Sequence, residues 1–139
     1  MVYWSRFGHN KKIVENLSKK LEEKGAETQI LKTDKADPKN LPDADIYIFS
    51  ASAEAFRVQK NMRKFMKNLE DMGGKKYGII NTHSMKSKNW LKSMDKILSK
   101  KNMEKVAGLD FHIGKEGQDQ GEGFTENWEE KIDEFSKKL

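Results

Sequence analysis

No cysteine occurs among the 139 residues, which excludes a disulfide scaffold, a thiol nucleophile and a thiolate metal site at once. Only two prolines occur, and both fall in the stretch 33–43, whose acids and lysines read as a loop with at most a helical turn. No apolar run approaches the roughly 18 residues of a membrane span. Met1 is not followed by a basic stretch and an apolar signal region, so a soluble cytoplasmic protein is expected, with no membrane partner. Three histidines, His9, His83 and His112, have no metal-ligand spacing, and no metal is expected. A spaced triple-glycine dinucleotide motif is missing, as is a glycine-rich loop ending in Gly-Lys-Ser/Thr. A receiver domain would need acids after its first strand and an aspartate ending its third. Those places hold Trp4-Ser5 and Ser50-Ala51.

What is abundant is charge, 35% of residues against about 25% in an average soluble domain. Residues 114–139 carry a net −4, and residues 1–113 carry +9. A basic body can signal nucleic acid, but these residues fall mostly on the polar faces of predicted helices, and no RNA-binding or helix-turn-helix pattern accompanies them. Nucleic acid is therefore not the expected partner.

The chain reads as one α/β domain over residues 1–139. Met1–Trp4 is a continuously apolar run suited to a buried strand, although Met1 then falls almost inside it, so the strand is short or the chain starts further upstream. Ile13, Val14, Leu17 and Leu21 recur at helical spacing and end at Gly25, a C-cap position. Ala26–Leu31 alternates weakly, as an edge strand would. Ile46–Phe49 is the clearest buried strand, and the stripe from Val58 through Met62, Phe65, Met66 and Leu69 predicts a helix stopped by Gly73 and Gly74. Tyr77–Asn81 predicts a strand, Leu91 to Leu98 a helix, and Ala107–Ile113 a strand followed by a glycine-rich loop at 114–123. Phe124, Trp128, Ile132, Phe135 and Leu139 face one way on an expected closing helix with Thr125 as its N-cap. Five strands separated mostly by helices predict an open five-stranded parallel sheet with helices on both faces.

In such sheets, ligands bind beyond the carboxyl ends of the strands where strand order reverses. Three loops qualify: Ser5–Asn10, Ser50–Arg57 and Thr82–Lys88. The first has no carboxylate. Gly8 permits close backbone approach, the first-turn amides of the helix point into the loop, and Ser5, Asn10, Arg6 and Lys11 add donors and charge. Two readings fit this segment equally: a site for one phosphate, or a tight turn in which Asn10 caps the helix.

The opening Val-Tyr-Trp-Ser-Arg-Phe-Gly-His-Asn-Lys-Lys-Ile resembles the phosphate loop of flavodoxins, and Asp45-Ile46-Tyr47-Ile48-Phe49-Ser50 resembles their third strand. The likeness covers nearly the whole chain and, with no insertion in the last strand, suggests the short-chain form. It implies a flavodoxin-like fold, a flavin mononucleotide (FMN) cofactor and electron transfer between redox partners. Carried over by position, Ser5, Arg6, Phe7, Gly8, His9 and Asn10 would wrap the phosphate. Phe7 and Asn10 stand where threonines are usual. Ser50, Ala51, Ser52, Ala53, Glu54 and Phe56 would pass along the flavin ring, with Phe56 placed to stack. Ser52 replaces the usual proline, and the absence of glycine there predicts weaker stabilisation of the one-electron-reduced flavin. Glu54, if ionised beside the flavin, would lower its potential. Thr82, His83 and Ser84 would meet the pyrimidine edge, and His83, Met85 or Trp90 would have to stand in for a missing tyrosine. Family members are usually acidic around the flavin edge, whereas Arg57, Lys60, Arg63, Lys64, Lys67, Lys86 and Lys88 surround these loops. An acidic partner, ferredoxin-like or a reductase, is the corresponding expectation. Two alternatives stay open: a flavin-dependent NAD(P)H/quinone reductase, and a binding module of this fold that has lost FMN.

Overall fold

The longest apolar stretches form the centre of the sheet because only there are both faces covered. The computed structural model describes residues 1–54, 57–84, 90–114, 124 and 127–139. Its elements are β1 (Val2–Tyr3), α1 (His9–Glu23), β2 (Leu31–Lys32), β3 (Ile46–Glu54), β4 (Arg57–Val58), α2 (Lys60–Lys67), β5 (Lys76–His83), α3 (Trp90–Ser99), β6 (Glu104–His112) and α4 (Trp128–Ser136). The sheet order is β2-β1-β3-β5-β6, all parallel, with β4 added antiparallel to the end of β3. Order reverses between β1 and β3, the crevice where doubly wound sheets take ligands.

Alternation along β3 sorts the core into two layers. Tyr47, Phe49 and Ala51 face Met62, Phe65, Met66, Met94 and Leu98 of α2 and α3. Ile48 faces the opposite way, toward Ile13 and Leu17 of α1 and Ile132 and Phe135 of α4. The methionine and aromatic stripe of α2 is thus core, as its spacing implies. At the far end of α1, Gly25 adopts φ +90°, and Ala26 N–H reaches the Leu21 carbonyl at 3.0 Å, a Schellman closure.

Four sequence expectations need correction. The second strand is Leu31–Lys32 rather than Ala26–Leu31: β1 offers only Val2 and Tyr3 to pair with, so the edge strand can be no longer. Val58 belongs to β4, opposite Ala53, and α2 starts after Gln59, whose side chain accepts from Met62 N–H at 3.0 Å. The stretch Ser50–Glu54 is strand, not loop, since Ser50, Ala51 and Ser52 pair with Ile80, Asn81 and Thr82 of β5. The closing helix begins at Trp128 with Asn127 as N-cap, and Phe124 instead forms an isolated bridge to Ile113. Thr125 lies outside the described residues, as does the glycine-rich loop beyond Gly114.

Candidate functional site

At the crevice, Trp4 N–H donates to the Ser50 carbonyl at 3.0 Å, and the chain then turns through residues 5–8 into α1. Gly8 is the N-cap with φ 91°, a left-handed conformation that favours glycine, and among the described residues no side-chain hydrogen bond caps the helix. The reading in which Asn10 caps α1 is therefore excluded. The first-turn N–H groups have no intrahelical partner by geometry, so this end is a ready anion site.

Asn10 is fully buried and committed elsewhere. Its Nδ2 donates to Thr82 Oγ1 at 3.0 Å, while Ser50 Oγ donates to its Oδ1 at 2.9 Å. This side chain locks α1 to β3 and β5, leaving only its backbone amide for a phosphate. Ser50 is buried with it, and Ala51 is fully buried on the opposite face, so neither presents a side chain to the crevice. His9 is also buried, edge-on to Phe124 at 5.3 Å between ring centres. Phe124 stacks on Trp128 at 5.0 Å and meets Phe111 at 5.6 Å, so an aromatic cluster supports the first turn of α1 from below.

Two hydroxyls remain. Among the described residues, Ser5 Oγ and Ser52 Oγ are buried and lack a hydrogen-bond partner. Buried polar groups are nearly always satisfied, so orphans on two segments flanking the crevice point to a ligand. Arg6 makes a two-pronged contact with Glu54, Nε to Oε1 at 3.0 Å and Nη2 to Oε2 at 3.2 Å, and its guanidinium lies 5.7 Å from the Trp4 ring centre. Glu54 is thus neutralised rather than left facing the crevice as a lone charge. More than half of the Arg6 side chain is exposed, so this pair is worth at most about 1 kcal/mol, and an incoming dianion can compete for the guanidinium. Phe7 stands out as an exposed large apolar side chain at the lip.

On the third side, Thr82 is buried and spent on Asn10, so only its backbone is offered. His83 Nε2 lies 3.0 Å from Asp110 Oδ2, and its carbonyl accepts from Ile113 N–H at 2.8 Å. His112 packs 5.8 Å from the His83 ring, and its Nε2 lies 3.1 Å from the carbonyl oxygen of the exposed Ser84. Trp90 is buried in α3 as helix packing. Phe56 and Met85 lie outside the described residues. Among the described residues no cluster of metal-ligating side chains occurs, and no helix is long and apolar enough to cross a membrane. Reading the residues alone missed the Arg6–Glu54 pair, although opposite charges at the ends of adjacent strands were a usable signal. It also missed the Asp110 contact to His83, which only the β5–β6 register creates.

A family model described as a flavodoxin domain matches residues 1–117. The chain is a member of the flavodoxin family. No curated protein matches it significantly. Among solved structures it resembles the two-electron-reduced flavodoxin of Megasphaera elsdenii (14% identity, TM-score 0.72, covering 98% of this chain and 96% of that one). The Streptococcus pneumoniae TIGR4 flavodoxin matches at 18% identity and TM-score 0.74, over 99% and 94%. Rubredoxin oxygen:oxidoreductase from Desulfovibrio gigas matches at 10% identity and TM-score 0.75, over 99% of this chain and 34% of that larger one. At such identities the structural likeness shows a shared fold, and family membership rests on the sequence match.

Proposed function

We propose that this flavodoxin-family chain binds FMN noncovalently at the mouth of α1 and carries electrons between redox proteins. One observation supports this most: an uncapped helix start, entered through left-handed Gly8, beside the unpartnered Ser5 and Ser52 hydroxyls. These features suit a phosphate dianion, which takes backbone N–H groups and hydroxyl donors together. In this reading Ser5, the backbone from Gly8 to Asn10, and Arg6 hold the phosphate. The Asn10 side chain positions α1 rather than touching the ligand. Ser52, Ala53 and Glu54 border the ring on one side, and Thr82, His83 and Ser84 on the other. FMN, when bound, supplies the electron-carrying chemistry, while the protein supplies anchoring and electrostatic surroundings.

The test is the visible spectrum of freshly purified protein, followed by titration of the flavin-free chain with FMN and with riboflavin. FMN should bind at least about tenfold tighter than riboflavin, and Ser5→Ala should weaken FMN about fivefold while leaving riboflavin unchanged. Equal affinity for the two flavins, or none for either, overturns the reading.

A further inference from the structure

A groove of about 660 Å³ runs between α2 and α3, away from the phosphate loop. Arg57, Arg63, Lys67, Lys96, Lys100 and Lys101 line it, with Val58, Ile97 and Ser93 completing the wall. Among the described residues no carboxylate lines it. The charge is built in by sequence: α2 carries Lys60, Arg63, Lys64 and Lys67 with no acid. The acid of α3, Asp95, is drawn to the other side, where it accepts from Tyr77 Oη at 2.7 Å and from Lys105 Nζ at 2.8 Å. Arg63 is braced by its Nε donating to the Val58 carbonyl at 2.8 Å. Six like charges held around one groove repel each other, a cost that an acidic partner removes on binding.

We infer that this groove docks an acidic redox protein through a carboxylate cluster on that protein's surface. The inference takes the nature of the partner from the electron-carrier reading, and its location from the groove itself. Arg57 stands opposite Glu54 in the β3–β4 pairing, and Glu54 holds Arg6 beside the mouth of α1. The groove therefore starts one strand pair away from the proposed flavin site, so a protein seated in it lies against that site's second segment. A nucleic acid is a poorer occupant. Among the described residues no aromatic side chain lines the groove for base stacking, and its apolar wall of Val58 and Ile97 suits a protein contact.

The experiment uses a carboxylate-rich [2Fe–2S] ferredoxin as probe, titrated calorimetrically at low ionic strength against the chain with and without FMN. Lys67→Glu/Lys96→Glu/Lys100→Glu neutralises the groove, setting three carboxylates against Arg57, Arg63 and Lys101. Lys19→Glu/Lys35→Glu/Lys138→Glu changes the net charge equally at exposed positions away from it. Circular dichroism checks that both variants fold. The groove variant should lose about tenfold or more in affinity and most of its salt dependence, and the control about twofold or less. Equal losses in both variants, or no binding of the probe by the unsubstituted chain, overturn the inference. So does tighter binding of a single-stranded oligonucleotide through the same lysines. If FMN fails to bind, the electron-carrier reading falls while the flavin-free titration still decides the groove. If FMN binds and the groove variant is indifferent, only the groove falls.

Discussion

Asn10 and Ser5 illustrate how two polar side chains in one loop take different parts. Asn10 joins three elements through buried bonds to Thr82 and Ser50, so truncating it leaves both hydroxyls unpaired. Asn10→Ala should cost about 2–3 kcal/mol in urea unfolding. Ser5 Oγ bonds to nothing among the described residues, so Ser5→Ala should stay within about 0.5 kcal/mol of the original chain in the same measurement. A large loss for Ser5→Ala would mean that its hydroxyl serves folding rather than a ligand. Tyr77 offers a second residue-scale test. Burial first, then its hydrogen bond to Asp95, pushes its phenol well above the usual range. The folded state thus holds this proton more tightly than the unfolded chain does. The resulting stability is complete below about pH 10 and is lost as pH rises toward the folded value. Tyr77→Phe should cost about 1 kcal/mol at neutral pH. The gap between the two proteins should then narrow above about pH 10, as followed by denaturant titration across alkaline pH.

Among the elements, the apolar cores of β3 and β5 and the stripe of α1 were legible from the chain, because their periodicity is fixed by which faces are covered. The polar end of β3 was not. Ser50–Glu54 carries no apolar alternation, and its strand geometry comes from β5 on one side and β4 on the other. The same gap hid the candidate site's true layout: Gly8 opens α1 and Ser5 Oγ stays unpartnered, whereas Asn10, Ser50 and Thr82 have become one buried knot that no local pattern announces. Gln59, an uncommon N-cap, likewise concealed where α2 begins. At Gly78 the structure adds a constraint that reading the chain did not supply. A Cβ there would come within 2.8 Å of Ile48 Cδ1 and 2.9 Å of Phe135 Cζ, because these two side chains close over the glycine. Gly78→Val should therefore destabilise by about 2 kcal/mol despite valine's preference for strands. Pairing it with Phe135→Leu, which withdraws the ring tip, should recover part of the loss, and thermal melts of the two variants would show it. No recovery would place the strain on Ile48 alone.

For the molecule as a whole, the decisive property is the sign of its field. Net charge is +5: the first 113 residues, which include the mouth of α1, carry +9 and the last 26 carry −4. A dianion approaching the mouth of α1 is attracted by that body as well as by the helix end and Arg6. Salt shortens the reach of the wider field to about 10 Å at 0.1 M, leaving only the local contacts. The Kd for FMN should accordingly rise about three- to tenfold between low salt and about 0.5 M, when followed by quenching of flavin fluorescence. Riboflavin, which has no phosphate, should change by less than about twofold over the same range. In a chain of this fold with a net negative charge the FMN trend would run the other way, because screening would relieve repulsion of the phosphate. The direction of the salt effect thus separates anchoring at a basic body from ring contacts alone. An FMN affinity that stays flat or tightens with salt would show that the positive charge of this protein is arranged for something other than its phosphate loop.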